Sequence, residues 1–514
     1  MRRASDGESG RFALNVASNI GFAVMNVALM LWYVPFLLQH LGLAAFGVIP
    51  LANTLVMYTT ILSASLDTSV TRFLAMDLNR SDESAANRTF NAAVILSLVS
   101  SAALLLLCLA IAGLLPALFN LPAGLETGTR YVFGGVAATM LTGILGCSFS
   151  AISVVMHRFE LRNLVRALTA LSRVGVVALC FALWSPSLWH VALGFVVSAV
   201  VQLTGDILVA RRLAPGLRFD LRSADQRQVV AMTGFSGWSS VNQVGNLLML
   251  QVDLLLVNLL FGAEATGRLG ALLLLVVVIN SMTETVVTVL SPLVMARYVE
   301  GDQAALQRFV VRSVRLLGVA LALPIGLLCG LGSPMLRLWL GPEFTSLDLL
   351  LTLLVGHLAV SLACRPLSYV LMAHNRVRLQ SVVTLAAGIV AIPLAVGLAS
   401  WADWGIAGVV AATAAMWVAR NVLFLAPYAA RTLGLRATSF LASLAIIAGC
   451  TVGVGLASAV VDRLLHPSSW TGLAGAAALV TLVYLVVAYA LALDRSDRRF
   501  VRGALWRMRE GVPG

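Results

Sequence analysis

Residues 347–373 read LDLLLTLLVGHLAVSLACRPLSYVLMA, an apolar run whose second half contains one arginine and one proline. A transmembrane helix needs about 20 mostly apolar residues to cross the hydrocarbon core, so this run is long enough to span a bilayer. Arg365 precedes His374, which marks the inner end of the run, by nine residues, or roughly 13 Å of helix. A charge at that depth costs several kcal/mol unless another group compensates it.

The composition of the whole chain is that of a membrane protein. Of the 514 residues, 60% are hydrophobic and 11% are charged, whereas soluble domains carry about 25% charged residues. The net charge of +12 is not a nucleic-acid signature, because the arginines follow the membrane topology described next. The six cysteines lie in apolar segments without metal-ligand spacing, so we predict no metal site and no cofactor.

Fourteen apolar runs are long enough to span a bilayer. They are residues 12–38, 45–70, 90–114, 130–155, 164–184, 188–210, 232–260, 266–291, 309–331, 346–372, 379–399, 404–427, 438–461 and 470–493. With both termini on one side, 29 arginines fall on that side, four fall on the other, and Arg173 and Arg365 lie inside spans. The positive-inside rule therefore predicts an inner (cytoplasmic) membrane protein with both termini in the cytoplasm.

An internal repeat relates the two halves of the chain. At an offset of 220 residues Asn26 aligns with Asn246, and at an offset of 217 LGCSFSAISVVMH, from Leu145, aligns with LACRPLSYVLMAH, from Leu362. The glycines Gly42 and Gly47 align in the same way with Gly262 and Gly267. Both copies start on the same side, which predicts two six-helix lobes that bind substrate between them and alternate access by rocking.

The predicted fold is therefore an all-α polytopic membrane protein with about 14 transmembrane helices. The predicted domains are an N-lobe over residues 1–230, a C-lobe over 231–430, and two extra helices with a basic cytoplasmic tail over 431–514.

Three motifs resemble a known family. They are PFLLQHLGLAAFGV at 35–48, SLDTSVTRFLA at 65–75 and QVDLLLVNLLFGAEATGRLG at 251–270, and Thr68 departs from the glycine expected after the acidic residue. The pattern resembles bacterial polysaccharide (O-antigen type) flippases of the multidrug/oligosaccharidyl-lipid/polysaccharide exporter superfamily. The resemblance implies a transporter, not an enzyme, that moves undecaprenyl-pyrophosphate-linked oligosaccharide from the inner to the outer leaflet through a cationic cavity.

The charges inside the spans are the candidate site residues. The repeat places Ser148 opposite Arg365 and Val390 opposite Arg173, so the scaffold forms at each position without a charge. We predict that Arg173 and Arg365 together clamp the pyrophosphate, because a guanidinium bonds two oxygens at once. The alternatives for either arginine are a structural pair with an acid such as Glu284, or extension of its side chain to the membrane surface.

Other polar residues in the spans have two interpretations each. Glu284 and Asp67 are candidate H⁺ or Na⁺ coupling sites, or else ion-pair partners of arginines. Asn26 and Asn246 are candidate sugar-binding residues, or else they form hydrogen bonds between helices. Arg420 lies about a turn inside its span, where we expect it to extend to the membrane surface.

Two other functions compete with the flippase. A cation-coupled multidrug-type antiporter has the same topology, but a cationic drug would require acidic rather than basic groups. A membrane-embedded polysaccharide polymerase or glycosyltransferase would require a large outer loop or an acidic metal-binding motif, and we find neither in the sequence.

Overall fold

A computed structural model provides the structure of the chain. It describes residues 2–54, 70–71, 73–74, 77, 83–118, 124–156, 158–217, 219–220 and 237–492. Asp67 lies outside the described residues. The chain forms two compact units, residues 1–271 and 272–514, and each unit is described by itself.

Long apolar helices make up the first unit. They are α1 (Arg2–Leu41), α2 (Leu43–Thr54), α3 (Glu83–Leu118), α4 (Glu126–Val155), α5 (Phe159–Leu183), α6 (Leu188–Leu213) and the first part of α7 (Gly237–Glu300). A turn at Gly262 divides α7 into two arms.

The second unit begins within the second arm of α7. Its further helices are α8 (Gln303–Gly330), α9 (Gly332–Trp339), α10 (Asp348–Gly356), α11 (Leu358–Ala363), α12 (Arg365–Ala373), α13 (Val377–Ser400), α14 (Gly405–Val418), α15 (Ala426–Thr432), α16 (Leu441–Leu465) and α17 (Trp470–Val487). A 3₁₀ turn occupies Pro342–Leu347, and π-helical turns occupy Ala419–Leu425 and Ala488–Ala492.

The predicted all-α polytopic class is confirmed. Among the described residues, twelve helices are long and apolar enough to cross a membrane, and one of them, Val241–Glu284, contains parts of two predicted spans. Predicted span 2 is described only in part, by α2 and four residues near its inner end. The proposed lobe boundaries at 230 and 430 stay a prediction, although the first arm of α7 belongs to the first compact unit.

Two glycines that the repeat pairs have the same unusual backbone. Gly42 has φ +78° and Gly262 has φ +81°, a left-handed conformation that only glycine adopts readily. Each ends one long helix and starts the next. Gly47 and Gly267 pack against each other, because a Cβ on Gly47 would lie 3.0 Å from the Gly267 nitrogen. The repeat read from the sequence thus has a structural counterpart at the two turns.

Small residues and one tyrosine hold the second unit together. A Cβ on Gly326 would lie 2.6 Å from the Val454 Cβ, so α8 and α16 pack at close range. Val319, Val454 and Val480 form a common core with Tyr484, which lies on α17. The Tyr484 hydroxyl donates a hydrogen bond of 2.6 Å to the Val319 carbonyl, which satisfies a polar group in an apolar setting.

Predicted span 10 is a broken helix. The helix is interrupted at His357 and again at Cys364, where α11 ends and α12 begins. Pro366 explains the second break, since proline has no backbone N–H to donate to the preceding turn. At this break the Leu367 N–H donates a hydrogen bond of 3.0 Å to the Cys364 carbonyl, three residues earlier, instead of to the carbonyl four residues earlier. Arg365 is therefore the first residue of α12, at a discontinuity in the middle of a span.

Candidate functional site

Arg365 is held by two acceptors from α7. Its Nη1 forms an ion pair with Glu284 Oε2, and its Nη2 donates a hydrogen bond of 2.7 Å to Asn280 Oδ1. The Arg365 side chain is 30% exposed and the Glu284 side chain is 53% exposed, so protein does not cover the pair. Of the sequence interpretations, the structure contains the contact with Glu284, and the rest of the protein leaves part of this pair uncovered.

The spacing of the acceptors explains the geometry. Asn280 and Glu284 are four residues apart on α7, so they lie on one face of the helix. The Asn280 amide nitrogen donates a hydrogen bond of 2.9 Å to the Val276 carbonyl. This bond leaves the Asn280 side-chain oxygen facing Arg365. Sequence analysis missed Asn280, although its position one turn before an intramembrane glutamate was a usable signal.

Two further side chains surround this ion pair. Tyr369, one turn after Arg365 on α12, lies within electrostatic range of both Arg365 and Glu284. Arg420 lies within electrostatic range of Arg365 and of Cys364. In the described part of the second unit, Arg365 thus has one carboxylate partner, Glu284, and a second guanidinium, that of Arg420, within electrostatic range, which leaves an excess of positive charge.

The position of Arg420 contradicts the expectation that it extends to the membrane surface. Its helix does not end at 427 but continues through α15, so Arg420 is 12 residues before Thr432. It is 8% exposed and belongs to the π-helical turn. Its Nε donates a hydrogen bond of 3.0 Å to Thr384 Oγ1, and its Nη1 donates one of 3.2 Å to Asn421 Oδ1. The π-helical turn redirects the side chain into the protein interior, a change that the sequence does not reveal.

The Arg420 contacts belong to a polar network in the core of the second unit. The Asn421 side-chain amide donates a hydrogen bond of 3.4 Å to the Ser361 carbonyl on α11. This bond connects the network to the broken span. The Trp417 ring lies 5.6 Å from the guanidinium. All of these partners are neutral, so no carboxylate compensates the charge of Arg420 among the described side chains.

Arg173 lies in the middle of α5, 14 residues after Phe159 and 10 before Leu183. Its Nε donates a hydrogen bond of 3.2 Å to Ser198 Oγ, and its guanidinium carbon lies 4.5 Å from the centre of the Phe195 ring. Both partners are on α6. Gly194 allows the approach, since a Cβ there would lie 3.1 Å from the Arg173 carbonyl oxygen. Like Arg420, Arg173 contacts neutral groups, and no described carboxylate lies within ion-pair distance of it.

The predicted amides have modest contacts. The Asn26 amide lies 4.0 Å from the Met30 sulfur, and Asn246 is half-buried on α7. Asn19, by contrast, accepts a hydrogen bond of 2.7 Å from Asn163 and so joins α1 to α5. Asn19, in the first half of α1, thus has a structural role, because it accepts a hydrogen bond from another helix. A sugar-binding role for Asn26 and Asn246 stays a prediction, as does ion coupling by Asp67.

The fold and its mid-span charges define a multi-pass membrane protein. Residues 40–347 match the family model described as "Polysaccharide biosynthesis protein", which covers more than half of the chain. The chain therefore belongs to this polysaccharide biosynthesis family.

Similar proteins agree with this membership. The chain is 30% identical over 492 residues to "Uncharacterized membrane protein EpsK" of Bacillus subtilis (strain 168), covering 96% of this chain and 97% of that protein. The fold is shared with "Lipid II flippase MurJ, inward closed conformation", at TM-score 0.64 and 12% identity over 92% of this chain and 99% of that one. It is also shared with an inward-facing "multidrug resistance MATE family transporter of the MOP superfamily", at TM-score 0.62 and 12% identity over 85% and 98%.

The resemblance noted from the sequence is thereby confirmed. The chain is a membrane protein of a polysaccharide biosynthesis family, and its fold is the one that the lipid II flippase and the MATE transporter share.

Proposed function

We propose that the protein flips undecaprenyl-pyrophosphate-linked oligosaccharide from the inner to the outer leaflet by alternating access, for surface polysaccharide assembly. The observation that carries this proposal is that Arg173 and Arg420 have only neutral partners among the described side chains. A desolvated guanidinium without a carboxylate is costly, and an anionic substrate would compensate it. Arg365 contributes a third guanidinium, which is accessible beside Glu284.

A pyrophosphate suits these groups better than a cationic drug does. Guanidinium donors form forked hydrogen bonds with phosphate oxygens, and such charge-assisted bonds are stronger than neutral ones. The family name and the solved lipid II flippase support a lipid-linked saccharide. The MATE fold keeps the multidrug-type antiporter as an alternative, but positive charge inside the spans would repel its cationic substrates. A polymerase or glycosyltransferase is the third alternative, and no observation favours it.

The remaining site residues have proposed roles in the same cycle. Arg173 and Arg365 bind the diphosphate, and Asn26 and Asn246 bind sugar hydroxyls. Glu284 and Asp67 take up the coupling H⁺ or Na⁺. We place the protein in the inner membrane with both termini in the cytoplasm, on the strength of the arginine distribution.

The substrate test compares three lipids in vesicles that contain the purified full-length protein. We expect undecaprenyl-pyrophosphate-linked oligosaccharide to move between leaflets at least about tenfold faster than the monophosphate-linked form, because one charge-assisted bond contributes about 1.5–3 kcal/mol. A neutral undecaprenyl glycoside should not move above the rate of empty vesicles. Leaflet position is measured by the accessibility of the sugar to an impermeant lectin.

Two outcomes would contradict the proposal. One is equal transport of all three lipids, which would mean that phosphate is not recognised. The other is efflux of a cationic dye such as ethidium without transport of the diphosphate lipid, which would favour the antiporter.

Glu284 provides a separate prediction about coupling. If its carboxylate takes up the coupling ion, Glu284→Gln should make the flipping rate independent of an imposed H⁺ or Na⁺ gradient, because the amide does not ionise. The measurement is the initial flipping rate with and without each gradient. A variant that still responds to the gradient as the wild type does would exclude Glu284 as the coupling site.

A further inference from the structure

We propose that Glu284 is a built-in substitute for the substrate's phosphate, which the lipid diphosphate displaces from Arg365 in each transport cycle. This inference rests on the proposed function, because it concerns the anion that Arg365 binds.

The contacts of Arg365 resemble those of a bound phosphate. Glu284 Oε2 and Asn280 Oδ1 present two oxygens to the two terminal nitrogens of the guanidinium, as a phosphate group does in a forked contact. The two oxygens are not equivalent, since Glu284 is charged and Asn280 is neutral. The Glu284 carboxylate therefore occupies the position that an incoming anionic oxygen would take.

The surroundings of the pair allow exchange. With 30% of Arg365 and 53% of Glu284 exposed, an anion can reach the guanidinium without separating packed helices. Asn280 is fixed by its bond to Val276 and keeps its contact with Nη2 when Glu284 leaves. Asn280 is thus a positioning residue that holds the guanidinium plane during the exchange.

Charge decides the direction of the exchange. Glu284 contributes one negative charge, while Arg365 and the nearby Arg420 contribute two positive charges. A diphosphate carries more negative charge and more acceptor oxygens than one carboxylate, so it competes successfully for Arg365. After displacement, Glu284 lies beside an anion of like sign, and this repulsion favours release of the lipid once the site opens to the other leaflet.

A purely structural ion pair explains these features less well. The repeat places Ala64 at the Glu284 position and Ser148 at the Arg365 position, so neither charge is needed to form the scaffold. Ser148 is buried and bonds to Ser97 at 3.0 Å, whereas the Arg365 pair is open. An accessible pair contributes little to stability but provides a replaceable ligand.

The test measures binding of undecaprenyl pyrophosphate to the purified full-length protein by isothermal titration calorimetry. Glu284→Gln removes the competing charge and should tighten binding roughly tenfold. It should also slow lipid release in the vesicle assay by a similar factor. Glu300→Gln, which removes the same charge from an exposed position on the same helix, should change neither. In an Arg365→Ala background, Glu284→Gln should no longer tighten binding.

The outcomes separate this inference from the proposed function. If the wild type binds the diphosphate but Glu284→Gln binds it equally or more weakly, the exchange is overturned and the flippase proposal stands. If tightening persists in the Arg365→Ala background, Glu284 acts as a general negative charge and not through Arg365. If the wild type does not bind the diphosphate at all, both proposals are wrong.

Discussion

Arg173→Met is expected to stabilise the substrate-free protein and, at the same time, to reduce lipid flipping by roughly 100-fold. The guanidinium lies in the middle of α5 and has no carboxylate partner among the described side chains, so its charge is an uncompensated cost. Replacing a lone charge inside a span with an apolar chain of similar length removes a cost of about 2.5–3.5 kcal/mol on membrane-insertion scales.

The substitution does not leave Ser198 without a hydrogen bond. Ser198 donates its own proton to the Phe195 carbonyl at 2.8 Å, and this bond does not involve Arg173. Methionine fills the space beside the Phe195 ring with favourable sulfur–aromatic contact. A structural arginine would show the opposite behaviour, because its loss would lower stability.

Stability is measured as the melting temperature in detergent, and flipping is measured with the diphosphate-linked oligosaccharide in vesicles. Arg130→Met is the matched control, since Arg130 lies exposed at the start of α4 in the same unit. We expect it to leave flipping unchanged. A parallel fall of stability and flipping in Arg173→Met would mean that Arg173 serves the fold rather than the substrate.

Arg365→Met is expected to reduce flipping by a similar factor of roughly 100, but to lower stability instead of raising it. The reason is that Arg365 has an acidic partner, and its removal leaves the Glu284 carboxylate without a counterion. The stranded carboxylate lies inside a span, so we expect the melting temperature of Arg365→Met to fall below that of the wild type.

A second substitution separates the two effects of Arg365→Met. Adding Glu284→Gln removes the stranded charge, so the double variant should recover the wild-type melting temperature while flipping stays lost. Arg376→Met, at an exposed position just beyond the inner end of the same span, is the control. Recovery of flipping in the double variant would show that Arg365 acts only by neutralising Glu284.

The opposite stability effects expected at Arg173 and Arg365 depend on information that the sequence does not contain. Both residues read as lone arginines in the middle of apolar helices, and the repeat shows that neither is required at its position. Pairing of Arg365 with Glu284 was one of the sequence alternatives, because helix spacing cannot relate residues 81 positions apart. Only the packing of α12 against α7 decides between them.

Arg420 is a second residue whose surroundings could not be predicted from the sequence: we expected its side chain at the membrane surface, and it lies in the protein interior. Hydropathy placed the end of its span at 427, near Pro427, and an arginine near a helix end usually extends to the interface. The helix instead continues to Thr432, and a π-helical turn directs Arg420 toward Thr384 and Asn421. Proline in the first turn of a helical segment, where Pro427 lies in α15, does not stop a helix.

The sequence by itself determined the membrane class, the approximate positions of most spans, the family and the mid-span position of Arg173. These properties follow from local hydropathy, helix rise and repeat spacing, all of which act along the chain. The tertiary structure alone decided which charges have counterions: Arg365 has Glu284, while Arg173 and Arg420 have hydroxyl, amide and ring partners. The physical reason is that Coulomb energy depends on distances between residues remote in sequence, and only packing sets those distances.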